Sequence, residues 1–245
     1  MRLLRHSLLL AAASCLFTAP LPADERSLRV SDLLSFKDVA DPRLSPDGRF
    51  VAYTVTTSDL KEDTSDADVY LSALDGGEPL RLTSSKKGES RPRFSPDGEW
   101  IAFVSSREGD KAQVFLMSRK GGEAVKLTDY KAGVSTFAWS PDSKRLAVVV
   151  SDEDPDAPEE GADKDKKKTA KPIVVRRLQF MSDGDGYLKD VRSHVHVFDV
   201  AKKTSFQLSS GPFDDSSPSP APTRRARRRR RSSTGSSITS AWRIT

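Results

Sequence analysis

Short runs rich in β-branched and aromatic residues recur along residues 43 to 209, each bounded by Ser, Pro, Asp or Gly. Arg43-Leu-Ser-Pro-Asp-Gly-Arg-Phe-Val-Ala-Tyr53 is followed by Arg93-Phe-Ser-Pro-Asp-Gly-Glu-Trp-Ile-Ala-Phe103, then by Ala138-Trp-Ser-Pro-Asp-Ser-Lys-Arg-Leu-Ala-Val148. The Ser-Pro-Asp triplets begin at 45, 95 and 140, and periods of this size mark a solenoid or a propeller. In each copy an apolar residue (Leu44, Phe94, Trp139) ends one strand. Proline then presets φ, aspartate bonds the local backbone, and Gly48 or Gly98 accepts the left-handed conformation. The next strand covers residues 50 to 55, 100 to 105 or 146 to 150, which closes a hairpin.

A second hairpin follows each first one. Residues 68 to 83 match residues 113 to 128, with Gly76-Gly77 and Gly121-Gly122 where a tight turn requires positive φ. Residues 194 to 209 give a third version around Lys202-Lys203. Two hairpins per repeat make a four-stranded blade. The fold class is all-β: an incomplete β-propeller of three blades, about 43–83, 93–128 and 138–209, with Asp214 to Pro218 starting a fourth. The partial propeller is expected to span 24–216. Residues 151–171 are rich in Asp, Glu and Lys and read as a solvated insertion in the third blade. Residues 173 to 180 resume a strand pattern and Asp183 to Gly186 form a turn. Residues 31 to 39 read as a short helix or strand at the rim.

Both ends differ from this pattern. Residues 1–23 read as a secretory signal: Arg2 and Arg5 precede an apolar run from Leu8 to Phe17, Pro20 breaks it, and Ala23 suits cleavage. The expected location is therefore periplasmic or secreted. The only cysteine, Cys15, leaves with that signal, which excludes disulfides and cysteine metal sites from the mature chain. Residues 217–245 read as a disordered Arg/Ser-rich tail. Its eight arginines (224, 225, 227 to 231 and 243) turn a net charge of −3 into +5, so the basic balance says nothing about nucleic-acid binding by the folded part.

At these residues the chain resembles a known family. The Ser-Pro-Asp-Gly hairpins are similar to the propeller repeats of the prolyl oligopeptidase family of serine peptidases and of TolB-type periplasmic propellers. Three stretches resemble the exported dipeptidyl and acylaminoacyl peptidase type: residues 31 to 55, residues 177 to 198, and Phe213-Asp-Asp-Ser-Ser-Pro218. The resemblance implies the substrate-gating propeller of an exported peptidase acting on short peptides. It implies an α/β-hydrolase domain elsewhere, with its nucleophile in Gly-x-Ser-x-Gly, a motif this sequence lacks. The alternative is a non-enzymatic TolB-type propeller that binds envelope proteins. The resemblance also places Ser-Pro-Asp at 221 to 223, where Ala-Pro-Thr stands. Ser-Pro-Asp codons read one nucleotide late give Ala-Pro-Thr, so the tail reads as out of frame and the chain as truncated by a frameshift.

No residue is assigned a catalytic, cofactor or metal role. His194 and His196, two apart on one strand face, read as a blade surface or inter-blade contact. Asp47, Asp97 and Asp142 read as local turn acceptors rather than calcium ligands. Glu159-Glu160 and residues 163 to 168 read as solvated charge runs. The partners expected are short peptides for the intact relative, with no nucleic acid and no membrane after signal cleavage. Open blade edges favour self-association.

Overall fold

The structure is a computed structural model, and it describes residues 27, 29–33, 35–59, 61–153, 181–182, 186–187, 191–220 and 242–243. Residues 1–23, expected to be a signal, most of the charged insertion, residues 173 to 180 and the arginine run lie outside the described residues. The chain divides into two units, Met1–Phe36 and Lys37–Thr245. In the first, a one-turn helix α1 (Val30–Leu33) is closed by the Arg29 N–H bond to the Asp32 carboxylate at 2.8 Å.

The second unit is all strand. β1 (Asp38–Leu44), β2 (Phe50–Asp59), β3 (Thr64–Ala73) and β4 (Leu80–Arg81) pair in sequence order, antiparallel throughout. β5 (Glu89–Phe94), β6 (Trp100–Ser105), β7 (Gln113–Ser118) and β8 (Val125–Lys126) repeat that order. The third sheet uses β9 (Val134–Trp139) and β10 (Arg145–Ser151), then β13 (Ser193–Asp199) and β14 (Thr204–Gln207). Between them, β11 (Met181–Ser182) pairs with β12 (Gly186–Tyr187) as a small separate hairpin. These are three four-stranded blades of an incomplete propeller.

The sheets pack face on face. Ile101, Phe103, Phe115 and Met117 turn one face of the second sheet onto Ala52, Val69 and Leu71 of the first. Ala102, Val104 and Val114, on its other face, meet Val134, Phe137, Trp139, Leu146, Val148 and Phe198 of the third. The pleat sends successive side chains to opposite faces, so β6 and β10 are buried on both sides and carry continuous apolar runs. β2 differs: Ala52 and Thr54 are buried, whereas Val51 and Tyr53 on its other face are half-exposed, with Tyr53 stacked on Tyr70 at 6.0 Å. The first blade has one neighbour where the second has two.

The repeated turns form identical clasps. In each, the serine hydroxyl (Ser45, Ser95, Ser140) donates to the aspartate two residues on, at 2.6, 2.5 and 2.5 Å. The same oxygen accepts the N–H of Phe50, Trp100 or Arg145 at 2.9 to 3.0 Å. Left-handed φ falls on Gly48 (68°), Gly98 (75°) and Ser143 (59°), the last being the one non-glycine of the set. The expected positive φ also holds for Gly76, Gly77, Gly121 and Gly122, and Lys203 takes 54° in the third blade. Arg119 ties two blades at this end: it donates to Asp47 at 2.6 Å and lies 5.2 Å above the Phe50 ring.

Beyond the third blade, the Asp215 N–H donates to the Ser193 carbonyl at 2.8 Å, and β15 (Ser219–Pro220) lies against β9. β1 touches β5 and β5 touches β9, so β15 takes the next inner-strand place. It pairs with β16 (Trp242–Arg243). Truncating Phe103 to alanine is expected to cost about 3–5 kcal/mol, enough to unfold a marginal domain. Arg119→Gln is expected to cost about 1 kcal/mol or less, and to lose even that in high salt. Chemical denaturation of the two variants checks the ranking.

Candidate functional site

The inner strands β1, β5 and β9 carry the polar groups that a ligand passing along the blades would meet. β1 and β5 share a local sequence, Asp41-Pro-Arg43 and Arg91-Pro-Arg93, and the ladder shifts register at the same place in both, between Ala40 and Arg43 and between Ser90 and Arg93. Proline cannot donate to a ladder and is accommodated at an edge strand or bulge. The residue before it takes positive φ in each case, 49° at Asp41 and 57° at Arg91. A bulge re-aims the side chains around it. Here the Asp41 carboxylate reaches Arg93 of the next blade at 2.6 Å while its other oxygen holds Arg43 at 2.7 Å.

Burial, with the positive charges of Arg43 and Arg91, pushes the Arg93 guanidinium down, and Asp41 pushes it back up. Arg93 stays cationic, as arginine does throughout the accessible range. Its carbonyl accepts the Trp139 indole N–H at 3.4 Å, which extends the link to the third blade. Arg91 is exposed and makes no ion pair among the described residues. The inner edge is therefore rich in N–H donors along the first two blades, and β9 carries no charge. Such a surface can hold peptide carbonyls or carboxylates. It offers no activated nucleophile and no paired general acid and base.

A second polar layer lies within the blades. In the second blade, Glu89 is fully buried against Arg107 at 2.8 Å and the Ser105 hydroxyl at 3.2 Å, while Arg107 spans the rings of Phe103 and Phe115 at 5.2 and 5.3 Å. Asp68, also buried, takes Arg81 at 2.5 Å; burial pushes its carboxyl up and Arg81 only partly offsets this. The position in the second blade that corresponds to Asp68 is the uncharged Gln113. Gln113 accepts from Thr128 at 2.9 Å and from the Tyr130 N–H at 3.0 Å, and donates to the Tyr130 carbonyl at 2.7 Å.

The residues singled out in the sequence fall as follows. Asp47, Asp97 and Asp142 are turn acceptors, each receiving a serine hydroxyl and the N–H two residues on. His196 makes an inter-blade contact, its ring meeting Tyr130 edge-on at 5.4 Å; burial, and then the nearby His194, push its pKa down. His194 is buried among carboxylates rather than lying on a surface. Glu159-Glu160 and residues 163 to 168 lie outside the described residues. The links through Arg93, Arg107 and Arg119 were missed, although the recurrence of Asp41-Pro-Arg in Arg91-Pro-Arg was a visible signal for the first.

The comparisons agree with this architecture. Residues 63–162 match the family described as the Tricorn protease N-terminal beta propeller domain. The uncharacterised peptidase YuxL of Bacillus subtilis is 32% identical over 89 residues, 36% of this chain and 14% of its own length. Dipeptidyl-peptidase 5 of Porphyromonas gingivalis is 31% identical over 76 residues, 31% of this chain and 11% of its own length. Among solved structures, the acylaminoacyl peptidase of Pyrococcus horikoshii aligns over 72% of this chain and 26% of its own, at 22% identity and a TM-score of 0.56. That likeness shows the fold. The chain thus resembles the propeller portion of peptidases and spans a small fraction of these relatives.

The turn carboxylates set an acid limit on the fold. The Ser140 hydroxyl, and then the Lys144 N–H, hold Asp142 below the usual carboxylate range despite partial burial. A carboxylate whose folded pKa is depressed stabilises the fold above its unfolded value, about 3.9, and loses that contribution as pH falls through the folded value. Asp142→Asn is expected to cost about 1 kcal/mol or less at neutral pH, because the group is largely solvent-screened. It should also flatten the loss of Tm below about pH 4. Melting curves of both proteins across that range check the sign.

Proposed function

We propose that this chain is part of the substrate-gating propeller of an exported peptidase that acts on short peptides, with the hydrolytic groups supplied outside these residues. The match of residues 63–162 to a protease propeller carries the reading. The two peptidase relatives support it over the TolB-type alternative. In this reading blades stacked face to face leave only a narrow axial route, so a peptide passes in extended form and a folded protein does not. The N–H-rich inner edge around Arg43, Arg91 and Arg93 offers hydrogen bonds to the backbone of a passing peptide.

The reading includes export through residues 1–23 and an out-of-frame tail after residue 216. Sequencing the gene from the Asp214 codon onward tests it. A one-nucleotide slip that restores further blades and then a Gly-x-Ser-x-Gly supports the peptidase assignment. A confirmed frame with no such motif downstream sinks it in favour of a binding propeller. The purified chain alone is expected not to cleave aminoacyl or dipeptidyl chromogenic substrates; measurable turnover would place catalysis here after all.

The half-exposed face of the first blade, with Val51, Tyr53 and Tyr70, has a consequence for the chain in isolation. It is expected to self-associate through that face. Sedimentation velocity over a concentration series checks this, and a monodisperse monomer at every concentration contradicts it.

A further inference from the structure

One position recurs at the outer side of all three blades with a different residue each time: Asp68, Gln113 and His194. Each precedes a valine whose N–H donates to a hydroxyl, Thr83, Thr128 or Ser209, at 2.9, 2.9 and 2.8 Å. In the first two blades that hydroxyl points back to the variable residue, to Asp68 at 3.5 Å and to Gln113 at 2.9 Å. In the third it turns away and donates to Asp215 instead.

His194 is thereby left between two carboxylates. It is 4% exposed, and its Nδ1 makes no hydrogen bond. Nε2 stands 3.6 Å from Asp152 and Nδ1 stands 3.7 Å from Asp215. The carboxylates come from different parts of the chain. Asp152 follows β10 and is anchored by its N–H on the Arg192 carbonyl at 2.6 Å. Asp215 belongs to the segment that leaves the third blade, anchored by its N–H on the Ser193 carbonyl.

The other groups around this centre are accounted for among the described residues. Asp214 accepts from the Ser193 N–H at 2.9 Å and pairs with Arg192 at 3.2 Å. Glu153 pairs with Lys131 at 3.3 Å. Phe213 presents an edge to the imidazole at 6.5 Å, and His196 faces Tyr130.

We propose that His194 is a proton-operated latch that fastens the segment of residues 213 to 218, the entry to the next blade, onto the third blade. A neutral imidazole has one N–H and can donate to only one of the two carboxylates; its other nitrogen then faces an oxygen lone pair to lone pair. One proton taken from solvent makes both nitrogens donors. Each gap then closes to a charge-assisted hydrogen bond of roughly 2.8 Å, joining β10 to the outgoing segment through one ring. Because the charged imidazole belongs to the latched state, the latch is present at low pH and released as pH rises. His196 works against it: a histidine with a depressed pKa destabilises the fold as pH falls, so its contribution has the opposite sign.

Amide hydrogen exchange of residues 213 to 217 in the full chain tests this, read at about pH 8 and about pH 5.5 and corrected for intrinsic exchange. Opening of the segment is expected to be several-fold rarer at the lower pH. The response should vanish in His194→Gln, shrink in Asp152→Asn, whose carboxylate is half-exposed, and persist or grow in His196→Gln. If His194→Gln does not fold, Asp152→Asn and an NMR titration of the His194 ring decide, since protection must track ring protonation. A segment that opens more readily on acidification, or an equal response in wild type and His194→Gln, overturns the proposal.

Discussion

Everything in this molecule depends on the burial of central strands on both faces. β6 and β10 carry unbroken apolar runs buried on both faces, β6 because it lies between the first and third sheets, and a strand of that kind has no stable existence in a single exposed blade. Phe103, Phe115, Ile101 and Met117 are fully enclosed only because the first blade covers them, and Val104 and Val114 only because the third does. Packing is therefore serial. Each blade completes the core of the one before it, and the alternation of side chains along a strand commits one set of residues to each neighbour.

The polar links are laid on that packing and differ from junction to junction. Between the first and second blades they are ionic: Asp41 with Arg93 and Asp47 with Arg119. Between the second and third the described links are neutral: the Tyr130 ring against His196, the Trp139 indole N–H on the Arg93 carbonyl, and the hydroxyl of Ser143, which accepts the Asp97 N–H at 3.0 Å. The ionic pairs that do cross, Asp41 with Arg93 and Asp47 with Arg119, match one inner strand and one turn of the first blade to the second. This gives order to a set of repeats whose apolar patterns are nearly interchangeable.

In the proposed reading, selectivity comes from shape and from fixed donors rather than from chemistry. The inner strands are held in place by bulges at Asp41-Pro42 and Arg91-Pro92, and those bulges aim guanidinium groups along the edge where neighbouring blades meet. In that reading such a surface orients a peptide and leaves the reacting bond to other groups.

The sequence alone determined the repeat, the hairpin order and the clasp turns, because these are local. Ser-Pro-Asp-Gly closes on itself within six residues, and period-two alternation writes a strand directly into the chain. It also showed that His194 and His196 share a face. Tertiary structure alone decided what that face meets. The partners of His194 lie at Asp152 and Asp215, and Asp41 finds Arg93 some fifty residues away. The repeated Asp41-Pro-Arg and Arg91-Pro-Arg mark where such contacts fall but not which groups pair, since any of several charged residues at similar spacing satisfies the same pattern. Only the stacking of one sheet on the next selects the pair that is desolvated together.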